Sequence, residues 1–132
     1  MRFKKEKDRQ LFWELDIRLR YILIWLEYGF KLNNLPELKI TSTIRKKKLI
    51  KNESGIHACG RAADISIKGL SEEDIKWIVK SINKKFVYGG KYNTALRHDV
   101  GFGDHIHLQV PLQGELLWGQ CPGWICWNGL IK

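Results

Sequence analysis

The run His57-Ala58-Cys59-Gly60-Arg61-Ala62-Ala63-Asp64, answered by Asp104-His105-Ile106-His107-Leu108-Gln109-Val110, decides how this chain is read. From His105 to Val110 the second stretch alternates strictly. A strand there puts His105, His107 and Gln109 on one face and Ile106, Leu108 and Val110 on the other. Residues 62–67 fit a partner strand, with Asp64 and Ser66 sharing a face. Imidazole and carboxylate are the donors that zinc takes in tetrahedral sites. Three protein ligands with one open position mark a catalytic rather than a structural ion. His57, Asp64 and His107 are the expected ligands of one Zn2+. Water in the fourth position would ionise near pH 7, at about that pKa, and so become a nucleophile. A neighbouring base must then move its proton. Asp104 and His105 are the two candidates. Strict alternation would turn Asp104 away and favour His105, but the Gly103 turn can re-aim Asp104, which is the expected base.

Working outward, residues from about 8 to 28 carry Leu11, Leu15, Leu19, Ile22 and Leu26 at three- and four-residue spacing, which predicts a helix. Glu14–Arg18 and Asp16–Arg20 are i,i+4 pairs on its other face, and Gly29 is its expected C-cap. Leu15 to Tyr21 also alternates as a strand would, but length and the lack of turn residues favour helix. Asn33-Asn34-Leu35-Pro36 reads as a turn and Leu38 to Ile44 as a short β-branched strand. Ser71, with Asp74 three residues on, opens a helix whose buried stripe is Ile75, Ile78, Val79, Ile82 and Phe86. Thr94 to Val100 is a further strand candidate.

At 132 residues the chain is one expected domain, with a metal-site core at about 38–110 and a Trp-rich tail at 111–132. The formal charge is +9, and residues 1–51 hold 14 Lys/Arg against 6 Asp/Glu. Such a surface draws anionic partners, setting encounter and retention more than specificity. Three cysteines, Cys59, Cys121 and Cys126, are too few and too odd for a disulfide framework, and free thiols are expected. The apolar run Tyr21–Leu26 is far short of the ~20 residues of a membrane span. The start MRFKKEKDRQ includes Glu6 and Asp8 and does not read as a secretory signal. Arg45-Lys46-Lys47-Lys48 reads as a solvated basic loop, His98 as a surface or structural residue.

The pattern H-x-x-G-x-A-x-D followed by acid-x-x-H resembles the zinc D-Ala-D-Ala carboxypeptidases and the phage L-alanoyl-D-glutamate endolysins, whose scaffold the hedgehog-type domains share. The likeness runs from about Leu38 to Val110 and begins at Ile40-Thr41-Ser42-Thr43-Ile44-Arg45, similar to the family's strand ending in Ser-x-x-Arg. It implies an α+β fold with a small, mostly antiparallel central sheet and flanking helices. It implies zinc on His57, Asp64 and His107, with Asp104 as base and Arg45 on the substrate carbonyl or the developing oxyanion. Two positions depart from it. Gly55 stands where the family has Ser, and His105 where it often has an aromatic residue. The activity implied is hydrolysis of an amide in peptidoglycan stem peptides. The basic surface suits an anionic wall polymer, and a protein made in the cytoplasm that acts on the wall after release, or aboard a virion. A zinc module without turnover on the same scaffold, or a basic nucleic-acid binder, are the readings set behind it.

Arg45→Ala tests this resemblance directly. It should keep the fold and the metal and lose about 10²–10³ in peptide turnover, the usual cost of one oxyanion donor. Unchanged steady-state kinetics would return Arg45 to the basic loop.

Overall fold

The computed structural model describes residues 1–44, 60–88, 92–98 and 103–111. They form an α+β fold with a five-stranded mixed sheet and three α-helices. In chain order these are β1 (Arg2–Phe3), α1 (Glu6–Leu11), a 3-10 turn (Phe12–Glu14), α2 (Ile17–Leu32), β2 (Lys39–Ser42), β3 (Ala62–Ser66), α3 (Glu72–Lys85), β4 (Ala95–His98) and β5 (His105–Gln109). The sheet order is β1-β2-β3-β5-β4. β1 runs parallel to β2, and the other three pairings are antiparallel. Arg45 to Cys59 and the Trp-rich tail beyond Pro111 lie outside the described residues.

The long N-terminal helix expected at about 8–28 is broken in two. Leu15 takes extended backbone and Asp16 becomes a new N-cap, its carboxylate accepting from the Arg18 amide at 2.9 Å. A short acidic side chain caps a helix start better than it serves a helix interior, and here capping wins over continuous periodicity. The expected i,i+4 pairs give way with it. Arg18 turns inward, forks onto both Asp16 oxygens at 2.8 and 2.7 Å, and donates to the Pro111 carbonyl. Arg20 instead donates to the Leu15 carbonyl and lies over the Trp13 ring.

α2 also runs past Gly29, the expected cap. It ends in a Schellman arrangement: the Leu35 amide donates to the Phe30 carbonyl and the Asn34 amide to that of Lys31, with Asn34 at φ 55°. Asn33 adds a side-chain bond to the Gly29 carbonyl at 2.8 Å. α3 begins as its sequence indicates. The Ser71 hydroxyl accepts from the Asp74 amide and the Asp74 carboxylate from the Ser71 amide, closing a capping box.

The two long helices pack on one face of the sheet. Leu19, Ile22, Leu23 and Leu26 of α2 and Ile75, Ile78 and Ile82 of α3 meet Ile40, Ile65, Ile106 and Leu108 in one buried cluster. Trp25 and Tyr21 set their rings edge-on to Phe86. Cross-strand pairing keeps that face apolar: Ile65 sits opposite Ile106 and Ala63 opposite Leu108. The same register sends Asp64, His105 and His107 to the opposite face.

Gly60 joins the helix break to the sheet. Its carbonyl accepts from the Asp16 amide at 2.9 Å, and its φ of +70° suits glycine. A Cβ there would lie 3.2 Å from the Glu14 carbonyl oxygen, a backbone atom that cannot swing aside. Gly60→Ala should therefore lower stability by about 1–3 kcal/mol through left-handed strain and crowding together. Denaturant titration of metal-free protein checks this, and an unchanged midpoint would contradict it.

Candidate metal centre

Three side chains of the polar sheet face are buried to 7% exposure: Asp64, His105 and His107. Asp64 lies on β3 directly opposite His107 on β5, and the His107 Nδ1 donates to Asp64 Oδ1 at 2.9 Å. The far nitrogen of His107 lies 3.1 Å from Gln109 Oε1, and the Gln109 amide is oriented by donating to the Asn93 carbonyl. His105 stands two residues along the strand, opposite Ser66. β4 adds His98, opposite His105, with ring centroids 4.7 Å apart. The His98 ring also stands perpendicular to that of His107, at 5.1 Å.

Asp64, His98 and His105 each offer one donor atom, and these atoms lie within 4.8 Å of one another. This cluster could hold a metal ion. Hydrogen bonding around His105 shows why a cation fits. Its Nδ1 lies 2.8 Å from the Gly103 carbonyl, which can only accept, so Nδ1 carries the proton. The other ring nitrogen, Nε2, is then the atom turned toward Asp64. Among the described residues that atom is buried without a hydrogen-bond partner, and it lies 3.5 Å from Asp64 Oδ1. A carboxylate oxygen and an imidazole nitrogen held this close away from water are stabilised by a cation between them, a proton on Nε2 or a metal ion. The backbone carbonyl that orients His105 is the outer-shell partner that metal-binding histidines usually have.

The residues expected from sequence fare differently. Asp64, His105 and His107 are brought together. His57 and Arg45 lie outside the described residues. The Asp104 carboxylate is held elsewhere. It accepts from Arg97 Nε at 3.2 Å and Nη2 at 2.8 Å, and Arg97 also forks onto Glu72 in the first turn of α3. Arg97 is opposite Ile106, on the helix-bearing face. The Arg97 hydrogen bonds hold the Asp104 carboxyl below the ordinary carboxylate range. A weaker base results. His98 was not singled out as a ligand from sequence. Its signal was the Leu96/His98 alternation, which becomes meaningful only once β4 is registered against β5.

Comparison with protein-family models, with curated proteins and with solved structures found no match. The site therefore rests on its own geometry. Asp64→Ala should abolish stoichiometric zinc uptake, and His98→Ala and His105→Ala should each weaken it more than about tenfold. Competition against a chromophoric chelator measures this. Unchanged affinity in His98→Ala would remove His98 from the site, and full occupancy in His107→Ala would remove His107.

Proposed function

We propose that the chain is a zinc-dependent peptidase that hydrolyses an amide bond in peptidoglycan stem peptides, built on a scaffold of the D-Ala-D-Ala peptidase and hedgehog type. The observation that carries this reading is the buried Asp64 carboxylate facing Nε2 of His105, with His98 and His107 packed around them. A carboxylate with imidazoles is a nitrogen–oxygen donor set that suits zinc. The motif from His57 to Asp64 supports the peptidase assignment. The charge of +9 suits retention on an anionic wall and a phage or prophage lytic role.

Asp64 would hold the ion together with imidazoles drawn from His57, His98 and His105; His107, hydrogen-bonded through both ring nitrogens, would have to give up one of those bonds to join them. Bound zinc supplies an electrophile for the amide carbonyl oxygen and brings the acidity of water to near neutrality, at a pKa of about 7. The remaining work falls to the chain. β3, β5 and β4 hold Asp64, His105 and His98 on neighbouring strands, with one donor atom of each within 4.8 Å of the others. The Gly103 carbonyl sets the tautomer and ring angle of His105. The His107–Asp64 bond orients the carboxylate. Proton acceptance belongs to a group beside Asp64, and the Arg97 grip on Asp104 weighs against that carboxylate in the role.

Incubation of the zinc-loaded protein with peptidoglycan fragments, with and without chelator, should give cleaved stem peptides by mass only when zinc is present. Zinc binding without any cleavage would leave a non-catalytic module. Asp104→Asn should retain zinc and lose turnover by no more than a few-fold. A fall of about 10²–10⁴ would make Asp104 the proton acceptor after all, and would require Arg97 to release it during the reaction.

A further inference from the structure

A cavity of about 220 Å³ is lined in part by Arg2, Lys39, Lys68 and Ser66 together with Phe30 of α2; none of the described candidate metal residues lines it, and Ser66, paired with His105, is its link to the site. Three of its lining residues are cations and one, Glu37, is an anion. Arg2, Lys39 and Lys68 have no ion-pair partner among the described residues. The cavity thus presents net positive charge, with free donors on three separate segments: β1, β2 and the turn after β3.

The sheet register ties this cavity to the site. Arg2 pairs with Lys39, Ile40 with Ile65, Ser66 with His105, and His105 with His98. The Ile40–Ile65 pairing sets Lys39 beside Ser66. Arg2, Lys39, Ser66, His105 and His98 therefore form one row across all five strands. Phe3, Ile40 and Ile65 turn to the core, so the row lies on the polar face with Asp64. At about 4.8 Å per strand, Lys39 lies roughly 10 Å from His105. An extended peptide advances about 3.3 Å per residue, so that separation is about three residues.

We propose that this cavity is a carboxylate-binding subsite that selects peptides carrying a free carboxylate about three residues from the bond held at the metal centre. The ligand's identity rests on the peptidase reading; the chemistry of the subsite does not. Stem peptides bear such carboxylates on their acidic residue and at their C-terminus. Surface ammonium and guanidinium groups that find no ion-pair partner among the described residues can take one from the ligand without breaking a described ion pair. Ser66 adds a hydroxyl, which already accepts from the Lys68 amide at 3.1 Å and so orders the turn on which Lys68 stands.

The test compares a stem tetrapeptide with its carboxyl-amidated counterpart, added to zinc-loaded protein. KM is read where the peptide is turned over and Kd where it is not. The acidic form should bind about tenfold more tightly. The Arg2→Gln/Lys39→Gln/Lys68→Gln protein should lose that preference and keep its zinc content. Equal affinity for the two peptides, or a preference that survives in the triple variant, would overturn the subsite. In wild-type protein the acidic peptide should also shift the amide resonances of Ser66, Lys68 and Leu70, a readout independent of whether the triple variant folds. Unmoved amides would overturn it equally. Product masses from the same samples keep the two proposals apart. Preference without cleavage sustains the subsite and removes the peptidase, and cleavage without preference does the reverse.

Discussion

Everything at the polar face depends on the pairing of β3 with β5. Five consecutive residue pairs join Ala62–Ser66 to His105–Gln109. A one-residue slip of either strand would carry its polar residues into the apolar core and its isoleucines out of it. Burying a carboxylate or an imidazole against α2 and α3 would cost several kcal/mol without a partner. The hydrophobic packing of Ile65 and Ile106 and the convergence of Asp64 with two histidines are therefore one constraint seen from two sides. The core holds the register, and the register holds the site.

That coupling explains what was legible in the chain. Period-two alternation is a local property, so Asp64, His105 and His107 could be placed on one face from their own neighbours. The capping box at Ser71 was legible for the same reason, since both partners lie within four residues. His98 was not, because its place opposite His105 is fixed by hairpin register rather than by its neighbours. Asp104 was ambiguous for a related reason. Its position before the strand left two directions open, and Arg97, seven residues away, took it toward the helix face. β1 is two residues long and carries no period at all.

The broken N-terminal helix shows a different limit. Leucine spacing from Leu11 to Leu26 runs straight through Asp16, and periodicity alone cannot register a cap that interrupts it. Asp16 also gathers Arg18, and Arg18 reaches the Pro111 carbonyl at the end of β5. A buried guanidinium of this kind needs its acceptors, and it finds them only where the chain stops being helical. The rival alternation from Leu15 to Tyr21 forms no strand, since α2 begins at Ile17.

Gly60 belongs to the motif that first suggested a metal, yet its nearest demands come from elsewhere: the Glu14 carbonyl crowds the position of a Cβ, and the Asp16 amide claims its oxygen. The glycine therefore answers to the seam between two helices about forty-five residues earlier in the chain. A redesign that fused α1 and α2 into one straight rod would remove the donor that anchors the approach to β3. It would have to supply another before the strand bearing Asp64 could be threaded as it is. The bend in the helices and the route into the metal centre are a single joint, and neither half can be re-engineered alone.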